Sequence, residues 1–318
     1  MANDTPARPE ALRTKIERAV AAGQRRRANA ERKKARARAN AASYEPSIVS
    51  FIDVLGFRAL LSSRSPGEIR DIILKLREFA APDEMPARRM KDVRLMSRAF
   101  SDSVSDAVVR VRVFETQYSD GAFFHELLDL LHIQIQCIGS GVLIRAGVAI
   151  GDAHVGLNGK GPVFGPAMVR AVEIETEEAI FPRIVIDEAA YQRFLTDTRL
   201  HKEGHDAEEE KGYVDRLLRV GEDGTRFIDY LAASESEFDD FGEYVTFLDA
   251  HAELVRRNLG AGHRPAIHRK YVWLALYQNE IVETLRAEFE TGARSIAAFE
   301  EVYETDPITC LMKLRVTV

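Results

Sequence analysis

Apolar positions fall into blocks that switch between a strand period and a helix period. Ser47-Ile48-Val49-Ser50-Phe51-Ile52-Asp53 is almost wholly apolar and closes on a carboxylate, which predicts a buried strand. Gly56 lets the chain turn, and a first helix runs through Phe57 to Leu61. Ser65-Pro66-Gly67-Glu68 reads as a capping box with proline at the first helical position. Ile69, Ile72, Ile73, Leu76 and Phe79 behind it keep helical spacing. Val93 to Val113 is strand-like on both sides of a polar break at Ser101–Asp106, so it predicts a β-hairpin with Asp102 near its tip. Asp120 to Ile138 is an amphipathic helix. Gly141 to Ile150 is a strand that runs into a glycine-rich stretch from Gly151 to Gly165. Met168 to Ala179 predicts a helix, Phe181 to Asp187 a strand, and Asp223-Gly224 a turn between strands at Tyr213–Val220 and Thr225–Tyr230. Tyr244–Leu259 and Arg269–Phe289 are long helices. The order, β-α-α-β-β-α-β followed by a hairpin and helices, predicts an α+β domain. Its sheet is mixed but mainly antiparallel, with packed helices, close to the ferredoxin-like pattern and extended by a helical C-terminal part.

Charge divides the chain. The 318 residues carry a net charge of -6, yet the first 43 hold 12 Lys/Arg against 4 Asp/Glu. That extension is therefore +8 and the remainder -14. Residues 1–43 are rich in Ala and Arg, with little to bury, and read as a solvated, flexible extension. Glu45-Pro46 ends any helix there, which places the domain at 44–318. A nucleic-acid partner is not expected, because the acidic body would confine phosphate contacts to the extension. Cys137 and Cys310 exclude a disulfide framework and CxxC sites. No apolar run spans a bilayer and no signal-peptide core is evident, so a reducing cytoplasm is the expected compartment and no membrane partner is expected.

Candidate chemistry rests on a few charged residues at strand ends. A carboxylate closing an apolar strand, as Asp53 does, is either desolvated at a cost or faces a cleft. Asp102 lies on a hairpin that the sheet can bring alongside that first strand. Two converging carboxylates suit a divalent cation with phosphate ligands, Mg²⁺ or Mn²⁺; the alternative is that each is an ordinary cap. Arg145 sits inside an apolar strand and requires an anionic partner, either a ligand phosphate or an acid such as Asp152. Gly159 to Gly165 lacks the spacing of a phosphate loop. His201 and His205 lack a third metal ligand. Trp273, Tyr271 and Tyr277 read as core.

Phe51-Ile52-Asp53-Val54-Leu55-Gly56-Phe57 resembles the first metal-binding strand of the class III nucleotidyl cyclases. Phe100-Ser101-Asp102-Ser103 sits where that family has Gly-Asp at its hairpin tip. Arg145-Ala146-Gly147-Val148-Ala149-Ile150-Gly151 resembles its Arg-x-Gly-x-x-x-Gly strand, and Phe164-Gly165 with Ala171 the segment that follows. Order and spacing agree from Ser47 to Asp187. Within that superfamily the chain is most similar to the bacterial Pycsar cyclases. That likeness is carried by Phe100 to Ser103, Gly165-Pro166-Ala167-Met168, Phe181 to Asp187 and Lys270 to Leu274. Those enzymes make cyclic pyrimidine mononucleotides in anti-phage defence.

The resemblance implies a metal-dependent cyclase acting on UTP or CTP. Asp53, Asp102 and the main chain at Val54 would hold two divalent cations. Backbone N–H groups at Leu55, Gly56 and Phe57, with Arg145, would bind the triphosphate. A head-to-tail homodimer and an effector activated by the product are implied as partners. The sequence departs from the purine cyclases at Met96 and Pro166, where base-reading side chains are missing. Val169 and Glu173 stand near the transition-state Asn and Arg positions, so either Arg170 or another basic residue substitutes, or the chemistry leans mainly on the metals. Arg94 and Arg98 share the Asp102 face by strand alternation and are the candidate base readers; two donor forks suit uracil slightly better than cytosine. The rival reading is a catalytically silent cyclase-like domain that binds nucleotide or a protein.

Overall fold

The computed structural model describes residues 43–81, 97–156 and 162–318. The flexible extension expected at residues 1–43 therefore lies outside the described residues, apart from Ser43. Among the described residues seven strands form one sheet: β1 Glu45–Val54, β2 Arg98–Val104, β3 Ala107–Val113, β4 Ile144–Ala153, β5 Ile184–Ile186, β6 Leu218–Val220 and β7 Arg226–Ile228. Their order is β2-β3-β1-β4-β5-β7-β6. The first four strands have the ferredoxin-like arrangement, with β1 antiparallel to β3 on one side and to β4 on the other. β4 and β5 pair in parallel and the remaining pairings are antiparallel. This is the α+β, mixed and mainly antiparallel sheet that the order of elements predicts.

β1 is central because its residues are apolar on both faces. Ile48 and Ile52 join the main core, and Val49 the second core on the opposite face. The main core is roofed by α2 Pro66–Ala80 and α3 Ala122–Gly139. Ser65 and Glu68 complete the capping box that starts α2. The other face is covered by α4 Pro166–Glu173 and a single π-helical turn, Ile174–Glu178. The sequence predicts one helix from Met168 to Ala179; the widened turn replaces its second half.

The glycines of β4 explain how closely α4 lies. A Cβ on Gly147 would stand 2.2 Å from the Ala171 carbonyl oxygen and 2.7 Å from the Glu175 nitrogen. A Cβ on Gly151 would stand 3.3 Å from that of Ala167. The Arg-x-Gly-x-x-x-Gly pattern is thus a smooth track on which the helix sits, and it sets the position of Glu175.

The C-terminal part is helical: α5 Glu188–Thr196, α6 Ala207–Leu217, the short α7 Tyr230–Ala233, α8 Phe241–Leu259, α9 Pro265–Glu290, α10 Ile296–Tyr303 and α11 Pro307–Lys313. The hairpin around Asp223-Gly224 forms, but the strand expected from Tyr213 does not begin until Leu218. Tyr213 to Leu217 continue α6, because Asp206 caps that helix on the Glu208 and Glu209 amides and sets helical phase before the strand.

Beneath β3 lies a buried ionic network. Glu126 of α3, fully buried, accepts from the Arg110 and Arg112 side chains and from Ser50 Oγ. Asp129 accepts from both guanidiniums at 2.6 Å.

The two thiols differ in the same physical way. Cys137 on α3 is buried, and burial pushes its thiol up to about 12, whereas Cys310 on α11 is half-buried. The thiolate is the reactive form. A disulfide-exchange reagent should therefore consume one thiol per native chain at neutral pH and the second only on unfolding. Equal rates for both would show that α3 is not packed as described.

Candidate active site

Asp53 is the penultimate residue of β1. Its neighbour across β4 is Arg145, and across β3 is Ala107. The Asp53–Arg145 pair faces the same side as the glycine track. Arg145 Nη2 lies 3.1 Å from Asp53 Oδ2 and 2.7 Å from Glu175 Oε1, so one guanidinium serves two carboxylates. Arg145 also donates to the Glu175 main-chain carbonyl, at 3.4 Å. Burial, with the Glu175 charge beside it, pushes the Asp53 carboxyl up to about 6 against the pull of Arg145's hydrogen bonds. Asp106 adds further repulsion. Burial and the Arg145 charge hold the Lys270 ammonium, on α9, below its ordinary range, while Glu175 and Asp53 act on it in the opposite sense. The rim therefore brings Asp53 and Glu175 together on Arg145, with Asp106 and Lys270 near enough for their charges to be felt. The anionic partner expected for Arg145 is thus the Asp53 and Glu175 pair, with Asp152 taking no part.

The other residues singled out by sequence are distributed unevenly. Asp102 lies on β2 opposite Val109, which faces Phe51 of β1. It is on the face of Asp53 but one strand further out and two residues back, roughly 12 Å between backbones. Asp102 is exposed, and it accepts from the Ser103 amide at 2.8 Å. The hairpin turns at Ser105 and Asp106, three residues later than the expected tip, because Ser105 takes the left-handed conformation that closes the loop. Asp106, next to the residue opposite Asp53, is the hairpin acid whose charge acts on it.

Val54 ends β1, opposite Ile144. The Leu55 amide donates to the Leu143 carbonyl at 2.8 Å, so it is not free for a phosphate, and that expectation is corrected. Gly56, in the left-handed region at φ 71°, and Phe57 begin the short α1 Phe57–Ser63, where amides lack intrahelical partners. Arg98 does not join Asp53. It pairs with Val113, which faces Ser47, about 20 Å along the sheet from Asp53. Its guanidinium is held by Glu45 at 2.5 Å and lies over the Phe100 ring. Within one chain, then, Arg98 cannot read a base bound at Asp53. Arg94 and Met96 lie outside the described residues. Arg170 is engaged by Asp187 and Glu178, at 3.0 and 2.8 Å, and more loosely by Glu173. Val169 is exposed and Pro166 opens α4.

Sequence reasoning assigned no site role to Asp106, Glu175 or Lys270, although Asp106 closes the polar break of the hairpin and Lys270 opens a segment that carries the resemblance. Only the acidic run Glu173 to Glu178 signalled Glu175, and its register depends on the π turn. Among the described residues no three His, Cys, Asp or Glu side chains gather as a ready-made metal site. The donor set nevertheless fits a hard cation held by one or two carboxylates and completed by substrate phosphates. Burial, then the Glu175 charge, disfavours the Asp53 carboxylate against the pull of Arg145, and a bound cation would favour it.

No protein-family model matches the chain, and no curated protein does. Among solved structures the chain is similar to the monomeric guanylyl cyclase domain of the RhoGC fusion protein from the aquatic fungus Blastocladiella emersonii. Sequence identity is 14% and the TM-score 0.37, with 58% of this chain and 95% of that chain covered. No helix among the described residues is long and apolar enough to cross a membrane.

Proposed function

We propose that the chain is a metal-dependent nucleotide cyclase that converts a pyrimidine nucleoside triphosphate, UTP ahead of CTP, to its 3′,5′-cyclic monophosphate and pyrophosphate. The observation that carries this reading is the pairing of Asp53 with Arg145 across β1 and β4, directly before the Gly56 turn. It puts a carboxylate and a guanidinium at one rim of the sheet, where α1 begins. Asp53, with Asp102 and the Val54 carbonyl, would hold two Mn²⁺ or Mg²⁺ ions. Such ions, when bound, acidify the ribose 3′-hydroxyl and offset charge on the departing pyrophosphate. Arg145 orients the triphosphate by its planar fork, and the Gly56 and Phe57 amides add neutral donors. The 3′-oxygen forms its bond to the α-phosphorus as the bond to the β-phosphate bridging oxygen breaks, and the hydroxyl proton leaves to solvent. The pyrimidine preference rests on Pro166, which offers no side-chain donor or acceptor to a purine edge. In this reading the chain works as a head-to-tail homodimer, and its product signals to an effector in anti-phage defence.

Incubation with each of the four nucleoside triphosphates and Mn²⁺, followed by mass analysis, tests this. Cyclic UMP should dominate, cyclic CMP follow, and ATP and GTP remain intact. A preference for ATP or GTP overturns the pyrimidine assignment alone. Four intact triphosphates, with phage infection supplied as a trigger, would favour the second reading, a silent nucleotide-binding domain. That alternative draws on Arg170, whose guanidinium is already committed to Asp187 and Glu178.

A further inference from the structure

The long helix α9 brings a cation to the rim that the sheet alone does not supply. Trp273, one turn after Lys270 on the same helical face, stacks on Phe181 with ring centroids 5.0 Å apart and meets Phe227 edge-on. Arg183, buried among these three rings, fixes the segment that enters β5. The Arg183 carbonyl accepts from the amide of Ala146, the residue after Arg145. The aromatic stack therefore ties α9, one turn beyond Lys270, to the segment that enters β5, and that segment is bonded to the residue after Arg145. Lys270 is half-buried and has no ion-pair partner within 4.0 Å among the described residues. Its neighbours in the field are Arg145, Glu175 and Asp53.

We infer that Lys270 is a triphosphate-binding residue, a second cation that α9 delivers in the same chain to the anion held by Arg145. This rests on the cyclase reading for the identity of the anion. A half-buried ammonium without a carboxylate partner, in the field of a guanidinium, is unfavourable until an anion arrives. Arg145 is shared between Asp53 and Glu175, so little of its charge is left for a ligand bearing several negative charges. Lys270 supplies that missing charge as a point donor, a role an ammonium performs for phosphates. The arrangement also couples the C-terminal helices to the site: whatever displaces Trp273 from Phe181 withdraws Lys270.

The test compares wild type, Lys270→Gln and Lys270→Arg in the full chain. Inorganic tripolyphosphate with Mn²⁺ is titrated by calorimetry, and initial rates are measured over a range of UTP. Lys270→Gln should weaken tripolyphosphate binding and raise KM about tenfold or more, with a smaller change in kcat and an unchanged Tm. Lys270→Arg should restore most of the affinity. A merely structural Lys270 would lower Tm and leave the KM-to-kcat split alone, and that result overturns the inference. So does wild type that fails to bind tripolyphosphate, or Lys270→Gln that binds it as wild type does. Lys270-dependent tripolyphosphate binding without turnover of any nucleotide would sink the cyclase reading and support Lys270 as an anion ligand. Normal cyclisation by Lys270→Gln would do the reverse.

Discussion

Asp53→Asn should abolish cyclisation, by about 10³-fold or more, while the protein keeps its Tm. A cation site in phosphoryl transfer contributes several kcal/mol of transition-state stabilisation, and each 1.36 kcal/mol is about tenfold in rate. Asn keeps the size of Asp and can still accept from Arg145, so the β1–β4 rim has no reason to open. It also removes a charge that burial, and after it Glu175 and Asp106, disfavour, so Tm should stay level or rise. Loss of rate without loss of stability is the signature of a group kept for a ligand. The hairpin arm is more discriminating. The resemblance assigns the second carboxylate to Asp102, whereas the register places Asp106 next to the residue opposite Asp53. Asp102→Asn should abolish turnover if β2 supplies the ligand; Asp106→Asn should do so if the turn supplies it. Both substitutions are at exposed or half-exposed positions, so neither threatens the core. Near-normal rates with Mn²⁺ in Asp53→Asn would sink the two-carboxylate reading.

Much of the fold was legible because its signals are local. The apolar run of β1, the capping box of α2 and the glycines of β4 each act within a few residues. What the sequence hid depends on contacts between distant segments. Arg110 and Arg112 alternate with valines in β3, a pattern that reads as one wet face. Both faces are buried, because α3 supplies Glu126 and Asp129 to the arginines. Asp53 and Arg145 stood out singly as charges in apolar strands, yet their direct pairing follows only from the β1–β4 register. Glu175 and Lys270 carried no such mark. The first is placed by a π turn and the second by an aromatic stack, and neither leaves a periodic trace. The turn falls at the far end of the predicted Ser101–Asp106 break, three residues beyond Asp102, because a polar stretch marks a turn without fixing its register.

Glu126 is where the chain is most exposed to a single change in its core. The carboxylate is fully buried between Arg110 and Arg112, themselves almost wholly buried. Burial opposes its ionisation, but the two guanidiniums overcome that and hold the carboxyl below its usual range. Glu126→Ala leaves two buried guanidiniums with Asp129, the Ala80 carbonyl and Ser97 Oγ as their remaining partners. Breaking a buried pair from one side costs about 3–5 kcal/mol, which at ~2–4 °C per kcal/mol for a domain of this size lowers Tm by roughly 10 °C. Glu126→Gln keeps the shape and one acceptor oxygen and should fall between, so the effect stays measurable if the alanine variant does not fold. The network also holds β3 by the face opposite Val109 and Val111, so the hairpin that carries Asp102 and Asp106 depends on it. Glu126→Gln should therefore lose activity at temperatures well below its own melting, as the hairpin loosens before the domain unfolds. Replacing the ionic group as a set, Glu126→Leu with Arg110→Met and Arg112→Met, should recover most of the Tm. Its apolar side chains fill similar volume and strand no buried charge, since Asp129, the one member left, reaches solvent, and such an exchange is often neutral or stabilising. A Tm within about 2 °C of wild type for Glu126→Ala would mean that Asp129 alone satisfies both arginines and that the network is not what holds β3 against α3.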